Sequence, residues 1–169
     1  IFTLRGYPHP QNERLERPLA RGLRGGAFAQ GIMVKKSLIE KVGLFRKTFY
    51  EDMDLFVRLV RDGIWIVDGR PSIRLIRQPG DDLNLSGLWR SKPIENYQAL
   101  VRIHREASLL PYLTDRERRL VWSGIYTNLF ELACAYAATG DSEKAKDAFR
   151  ECLTLPLSRR NRFKVRAFQ

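Results

Sequence analysis

Tyr50-Glu51-Asp52-Met53-Asp54-Leu55-Phe56-Val57-Arg58-Leu59-Val60-Arg61-Asp62-Gly63 is the stretch around which the chain is organised. Leu55, Phe56, Leu59 and Val60 recur at helical spacing, and Gly63 follows the last of them as a stop signal, so the spacing predicts one amphipathic helix of about three turns. Asp52 lies three, four and seven residues before Leu55, Phe56 and Leu59. That places its carboxylate on the inward stripe, extended toward the helix N-terminus, where free N–H groups and the macrodipole favour negative charge. Asp54, Arg58 and Arg61 fall on the opposite face, which the same spacing predicts to be solvated. An acid in a first turn also stabilises a helix without doing any chemistry, so spacing alone leaves both roles of Asp52 open.

The flanking residues add to this. Val42-Gly43-Leu44-Phe45-Arg46-Lys47-Thr48-Phe49-Tyr50-Glu51-Asp52-Met53-Asp54-Leu55, followed by Arg58-Leu59 and Gly63, resembles the acceptor half of inverting family 2 glycosyltransferases of the GT-A fold. Ile73-Arg74-Leu75-Ile76-Arg77-Gln78 and Asn84-Leu85-Ser86 are similar to that family's strand ending in R-x-H and its later N-x-S. The resemblance runs from about Leu23 to Ser86. It implies an α/β fold over residues 1–90, the C-terminal half of a GT-A catalytic domain, followed by an all-α extension over residues 91–169. It also implies transfer of a sugar from a nucleotide-sugar to an acceptor hydroxyl, in cell-wall or polysaccharide biosynthesis, with Asp52 as general base and Glu51 orienting the base or the acceptor. Gln30, Gly31, Arg77, Asn84 and Ser86 become substrate-binding candidates on the same ground. Gln78 stands where the family often carries a histidine that can assist a metal.

Asp52-Met53-Asp54 has the letters of the D-x-D motif with which such transferases hold a divalent cation. Residues i and i+2 of a helix point roughly 200° apart, so these two carboxylates do not clasp one ion. The resemblance therefore implies that the nucleotide-binding half, with the nucleotide-sugar and its Mg or Mn ion, lies upstream of Ile1. No cofactor is expected for residues 1–169 alone. The absence of an initiator Met at Ile1 suggests a piece of a longer chain.

Composition bounds the partners. With 169 residues and 44% apolar side chains there is enough material for a core. No apolar run approaches eighteen residues, and no charged-then-apolar leader opens the chain. The net charge of +11 is spread evenly, with 15 basic and 10 acidic side chains over residues 1–89 and 15 and 9 over residues 90–169. Such a diffuse excess favours anionic partners: nucleotide diphosphates, anionic lipid head groups, acidic glycans. It does not single out nucleic acid, for which no binding module or RNP-type aromatic pattern is present. Cys134 and Cys152 fit apolar helix positions and are too far apart for a metal knuckle, so they read as reduced, buried thiols of a cytoplasmic protein.

Around the central helix the chain is punctuated by glycine and proline. Residues 1–24 carry breakers at Tyr7-Pro8-His9-Pro10 and Arg17-Pro18 and predict an irregular segment, with His9 a loop residue. Gly25 to Val34 is a small-residue turn leading into an apolar run, expected as a strand with Lys35-Lys36 at its end. Ser37 is expected to cap a short helix to Val42, with Glu40 completing a capping box and Gly43 ending it. Ile64-Trp65-Ile66-Val67 is expected as a strand buried on both faces, and Ile73 to Arg77 as a second strand.

From Lys92 the period is helical. Pro93 to Ser108 has Ile94, Tyr97, Leu100, Val101 and His104 along one stripe, which makes His104 a helix-face residue. Thr114-Asp115-Arg116-Glu117 is a capping box opening a helix that can reach Thr139. Leu132, Ala133, Tyr136, Gly140, Ala145, Phe149, Cys152 and Pro156 then resemble a single tetratricopeptide repeat, a helix pair near residues 126–156. One pair cannot bury its own face, so it is expected to pack on the preceding helices. The tail Arg159, Arg160, Arg162, Lys164 and Arg166, interleaved with Phe163, Val165 and Phe168, is a solvated basic end or a contact for an anionic membrane surface. The family resemblance implies a nucleotide-sugar and a glycan or lipid-linked acceptor as partners, and the basic tail adds an anionic membrane surface, at the cytoplasmic face, as a further candidate. The rival reading is a non-catalytic interaction module whose helices recruit a protein partner beside a remnant transferase half.

Overall fold

In the computed structural model the described residues are 13–15, 18–21, 23, 33–60, 65–67 and 91–156. Helix dominates them. In chain order they form β1 (Glu13–Leu15), α1 (Pro18–Arg21), α2 (Lys36–Val42), α3 (Glu51–Val60), β2 (Trp65–Val67), α4 (Pro93–Ser108), α5 (Asp115–Ala138) and α6 (Ser142–Thr154).

The α/β expectation is overturned. An α/β layer needs several parallel strands with helices covering both faces. The extended residues described here make one antiparallel ribbon of two three-residue strands, with Glu13 opposite Val67, Arg14 opposite Ile66 and Leu15 opposite Trp65. Short apolar runs do not reveal how many neighbours a strand will have, and Trp65–Val67, expected as a strand buried on both faces, pairs among the described residues with β1 alone. Met33 to Lys35, expected as the end of a strand, is irregular, and Lys36 is already helical. The Ile73 to Arg77 strand and the basic tail fall outside the described residues.

The chain divides into two compact units, Ile1–Lys47 with Glu51–Asn84, and Thr48–Tyr50 with Leu85–Gln169. In the first, α3 is the central element and touches both α1 and α2. Its core residues Leu55, Phe56, Leu59 and Val60 are buried as the spacing requires, and Val57 and Asp54 are buried as well. The helix is therefore covered on nearly all sides, and the expectation of a solvated Asp54 face is wrong. Tyr50, immediately before α3, adopts φ 57°, a left-handed conformation uncommon for a non-glycine residue.

Helix α2 also departs from expectation. It starts one residue before Ser37, and its cap position, Lys35, makes no side-chain cap hydrogen bond, so the Ser37–Glu40 box does not form. Gly43 does end it, at φ 82°.

The second unit follows its sequence closely. Pro93 opens α4 in the first turn, where a missing N–H costs nothing. The Thr114 box is complete: the Glu117 N–H donates to Thr114 Oγ1 at 3.3 Å, and the Thr114 N–H donates to Glu117 Oε2 at 3.0 Å. Helix α5 ends in a Schellman turn, in which the Asp141 N–H donates to the Tyr136 carbonyl at 3.0 Å and the Gly140 N–H to the Ala137 carbonyl at 3.1 Å. Gly140 sits at φ 82°, which is why a glycine is wanted there.

Helix α5 packs against both α4 and α6. Leu132, Tyr136 and Ala145 form a buried cluster against which Ile94 and Tyr97 pack, so the repeat-like pair does bury its face on the preceding helix. Phe130 meets the Phe149 ring edge-on at 5.7 Å. Cys134 and Cys152 are both free thiols; Cys152 is fully buried, and burial, reinforced by Glu151, pushes its thiol up to about 12. His104 is buried at the contact of α4 with α5, its ring against Gly124.

Candidate functional site

Asp52 lines a concavity of about 200 Å³ whose other described walls are Val34, Ile39, Phe45, Leu55, Phe56 and Leu59. Each wall has a sequence origin. Leu55, Phe56 and Leu59 are the inward stripe of α3, Ile39 comes from α2, and Val34 and Phe45 come from the segments on either side of α2. Asp52 stands in the first turn of α3, as expected. Its Oδ1 accepts the Met53 N–H at 2.7 Å, while its Oδ2 has no partner among the described residues. Among the described residues, the walls are thus apolar apart from Asp52, whose carboxylate keeps an oxygen available to a ligand hydroxyl.

Glu51 occupies the preceding position and is half-buried. Gln30, Gly31, Arg77, Gln78, Asn84 and Ser86, the remaining site candidates, lie outside the described residues, so the structure does not show whether they join Asp52.

Asp54 is no part of that hollow. Its carboxylate, fully buried, meets Arg58 Nη2 at 2.8 Å and Arg46 Nη1 at 3.3 Å. The guanidinium of Arg58 is also nearly buried, and besides Asp54 it donates to the carbonyls of Val42 at 2.7 Å, Gly43 at 2.6 Å and Leu44 at 3.0 Å. Sequence reasoning missed this cluster. The signal was present in the i, i+4 spacing of Asp54 and Arg58, but such a pair on a helix usually faces water, and nothing local announces that Gly43 to Arg46 covers it.

The helical unit carries a second, shallower hollow of about 390 Å³. It lies over the α5 residues Leu129, Leu132 and Tyr136, with Arg102 and Arg105 from α4 on one side and Lys144 and Glu151 from α6 on the other. Its polar groups are already engaged: Arg105 pairs with Glu151, Lys144 with Asp141, and Gln98 donates to the Tyr136 hydroxyl at 2.7 Å.

No family model, curated protein or solved structure matches this chain. Among the described residues no helix is long and apolar enough to cross a membrane, and no group of three or more His, Cys, Asp or Glu side chains could hold a metal ion.

Proposed function

We propose that the Asp52 hollow is the acceptor site of a nucleotide-sugar-dependent glycosyltransferase. The observation that carries this reading is the placement of Asp52: a carboxylate with an oxygen that has no partner among the described residues, in a concavity whose other described walls are apolar, inside the stretch that resembles the family's acceptor motif. In the step proposed, the Asp52 carboxylate takes the proton of an acceptor hydroxyl as that oxygen bonds to the anomeric carbon. The bond from the same carbon to the nucleoside diphosphate breaks, and configuration inverts. Glu51, one residue earlier, orients the base or the acceptor.

The described residues do not fit a divalent cation, because Asp54 is committed to Arg58 and Arg46 and leaves Asp52 alone. No step here is assigned to a metal. The donor site belongs, in this proposal, to a nucleotide-binding half upstream.

The test is Asp52→Asn in the full-length protein, assayed by nucleoside diphosphate release from a panel of UDP-, GDP- and dTDP-sugars. The expected result is a loss of transfer of about 10²- to 10⁴-fold, the range typical for removal of a general base, with donor binding by calorimetry unchanged. Full transfer by the variant overturns the role of Asp52. The rival reading, a non-catalytic helical interaction module, gains ground with that result.

A further inference from the structure

Arg58 uses its whole donor fork on two tasks that the transfer step does not require. Its Nε and Nη2 hold Asp54 Oδ2 at 3.1 and 2.8 Å, and its Nη1 and Nη2 hold three consecutive carbonyls, those of Val42, Gly43 and Leu44. These carbonyls lie at the C-terminal end of α2, where oxygens lack intrahelical partners and a cation is favoured. Asp54 meanwhile reaches in the other direction, accepting from Arg46 Nη1 at 3.3 Å. Between the residue whose carbonyl is held by Arg58 and the residue whose side chain is held by Asp54 stands Phe45.

Phe45 is a wall of the Asp52 hollow, yet it is 53% exposed. A ring so exposed is not fixed by its own burial. Its two neighbours are tied instead: the Leu44 carbonyl to the Arg58 guanidinium, and the Arg46 guanidinium to the Asp54 carboxylate. The side-chain portions of Asp54 and Arg58 are 0% and 10% exposed, so the ion pair from which both ties spring is sheltered from solvent screening, while the wall residue is not.

We infer that Asp54 and Arg58 are positioning residues which set the acceptor-facing wall by clamping both neighbours of Phe45, a role that presupposes the acceptor reading of the hollow given above. The clamp needs arginine. A planar fork with five donors serves a carboxylate and three carbonyls at once, whereas a lysine ammonium is a compact point donor that cannot span them. The second aspartate of Asp52-Met53-Asp54 is thereby assigned an anchoring task, distinct from the proton transfer given to the first.

The experiment uses the full-length protein with Arg58→Lys, Phe45→Ala and the double variant, and measures KM for acceptor and kcat separately. Arg58→Lys is expected to raise the acceptor KM by at least about tenfold, as for loss of a good apolar contact in a pocket, with kcat changed far less. Phe45→Ala, a change at an exposed ring that leaves the buried pair intact, is expected to reproduce the rise. The double variant is expected to be no worse than Arg58→Lys alone, because both changes remove the same wall. Additive effects, or an unchanged KM in Arg58→Lys, overturn the clamp.

A readout independent of turnover separates this from the fate of Asp52. With 4-fluorophenylalanine placed at position 45, the fluorine resonance is expected to be single and sharp in the parent and broadened or shifted in Arg58→Lys. Should Arg58→Lys fail to fold, Arg46→Gln, at a half-exposed side chain, removes the other tie and is expected to shift the same resonance. A resonance at 45 indifferent to these changes overturns the clamp even if Asp52→Asn abolishes transfer; a responsive one sustains it even if Asp52→Asn does not.

Discussion

Around α3 the most deeply buried polar group, Asp54, is charged and is held by two guanidinium groups, whereas between α4 and α5 the corresponding group, His104, is a ring held by a single backbone contact. His104 Nδ1 lies 2.8 Å from the Leu100 carbonyl, which makes Nδ1 the protonated nitrogen, and Nε2 faces Gly124. The first arrangement ties segments of backbone together through charge. The second lets two helices come close by keeping the contact small and uncharged. A buried charge beside a short irregular segment is there to place that segment, and a polar ring inside a helix layer is tolerated to the extent that it packs like an apolar one.

Breaking the charged arrangement should have the largest effect. Asp54→Ala leaves the Arg58 guanidinium in a buried site without its counter-ion, and losing one partner of a buried pair costs about 3–5 kcal/mol. Arg58 keeps its three carbonyl acceptors, which sets the expectation at the low end, about 3 kcal/mol, read from the urea midpoint. A change below about 1 kcal/mol would mean that Asp54 is not the anchor that its contacts suggest.

The helix layer should respond to volume instead. A Cβ built on Gly124 would lie 2.1 Å from His104 Cδ2 and 2.3 Å from its Nε2, so Gly124→Ala forces the ring or the helix to move. Overpacking of this kind costs about 1–3 kcal/mol. The cost should shrink markedly when Gly124→Ala is made on a His104→Ala background, where there is no ring to displace. Equal costs in both backgrounds would assign the penalty to something other than this contact.

The smallest effect is one of charge in the same layer. Burial holds the His104 imidazole below its ordinary value of 6.5, outweighing the Leu100 hydrogen bond, which acts in the opposite sense. The unfolded chain therefore takes up a proton below about pH 6.5 that the folded chain resists. The His104 contribution is at full strength above that pH and is lost as pH falls through it, at most about 1.4 kcal/mol per pH unit. Urea midpoints between pH 7.5 and 5 should fall more steeply in the parent than in His104→Asn. Parallel slopes would show that the ring titrates alike in both states.

These contrasts also explain what could be foreseen from the amino-acid order. Periodicity and caps are local, so α3, α4, the Thr114 box and the glycine at 140 were all legible, each resting on neighbours within four or five residues. The depth of Asp54, the failure of Ser37 to cap α2 and the pairing of the described strands as a two-stranded antiparallel ribbon depend on segments distant in sequence. For the candidate site, the inward aim of Asp52 was readable from its offset to Leu55, Phe56 and Leu59. The part played by Phe45 was not, because an aromatic in a loop becomes a wall only when something else holds the loop.

Cys152 gives the α4–α6 layer a native reporter. With its sulfur sealed beneath α5 and so weak an acid, almost none of it exists as thiolate near neutral pH, and alkylating reagents can reach it only when α6 lifts away. The pace of its chemical modification is then a clock for that excursion, readable in the unaltered chain.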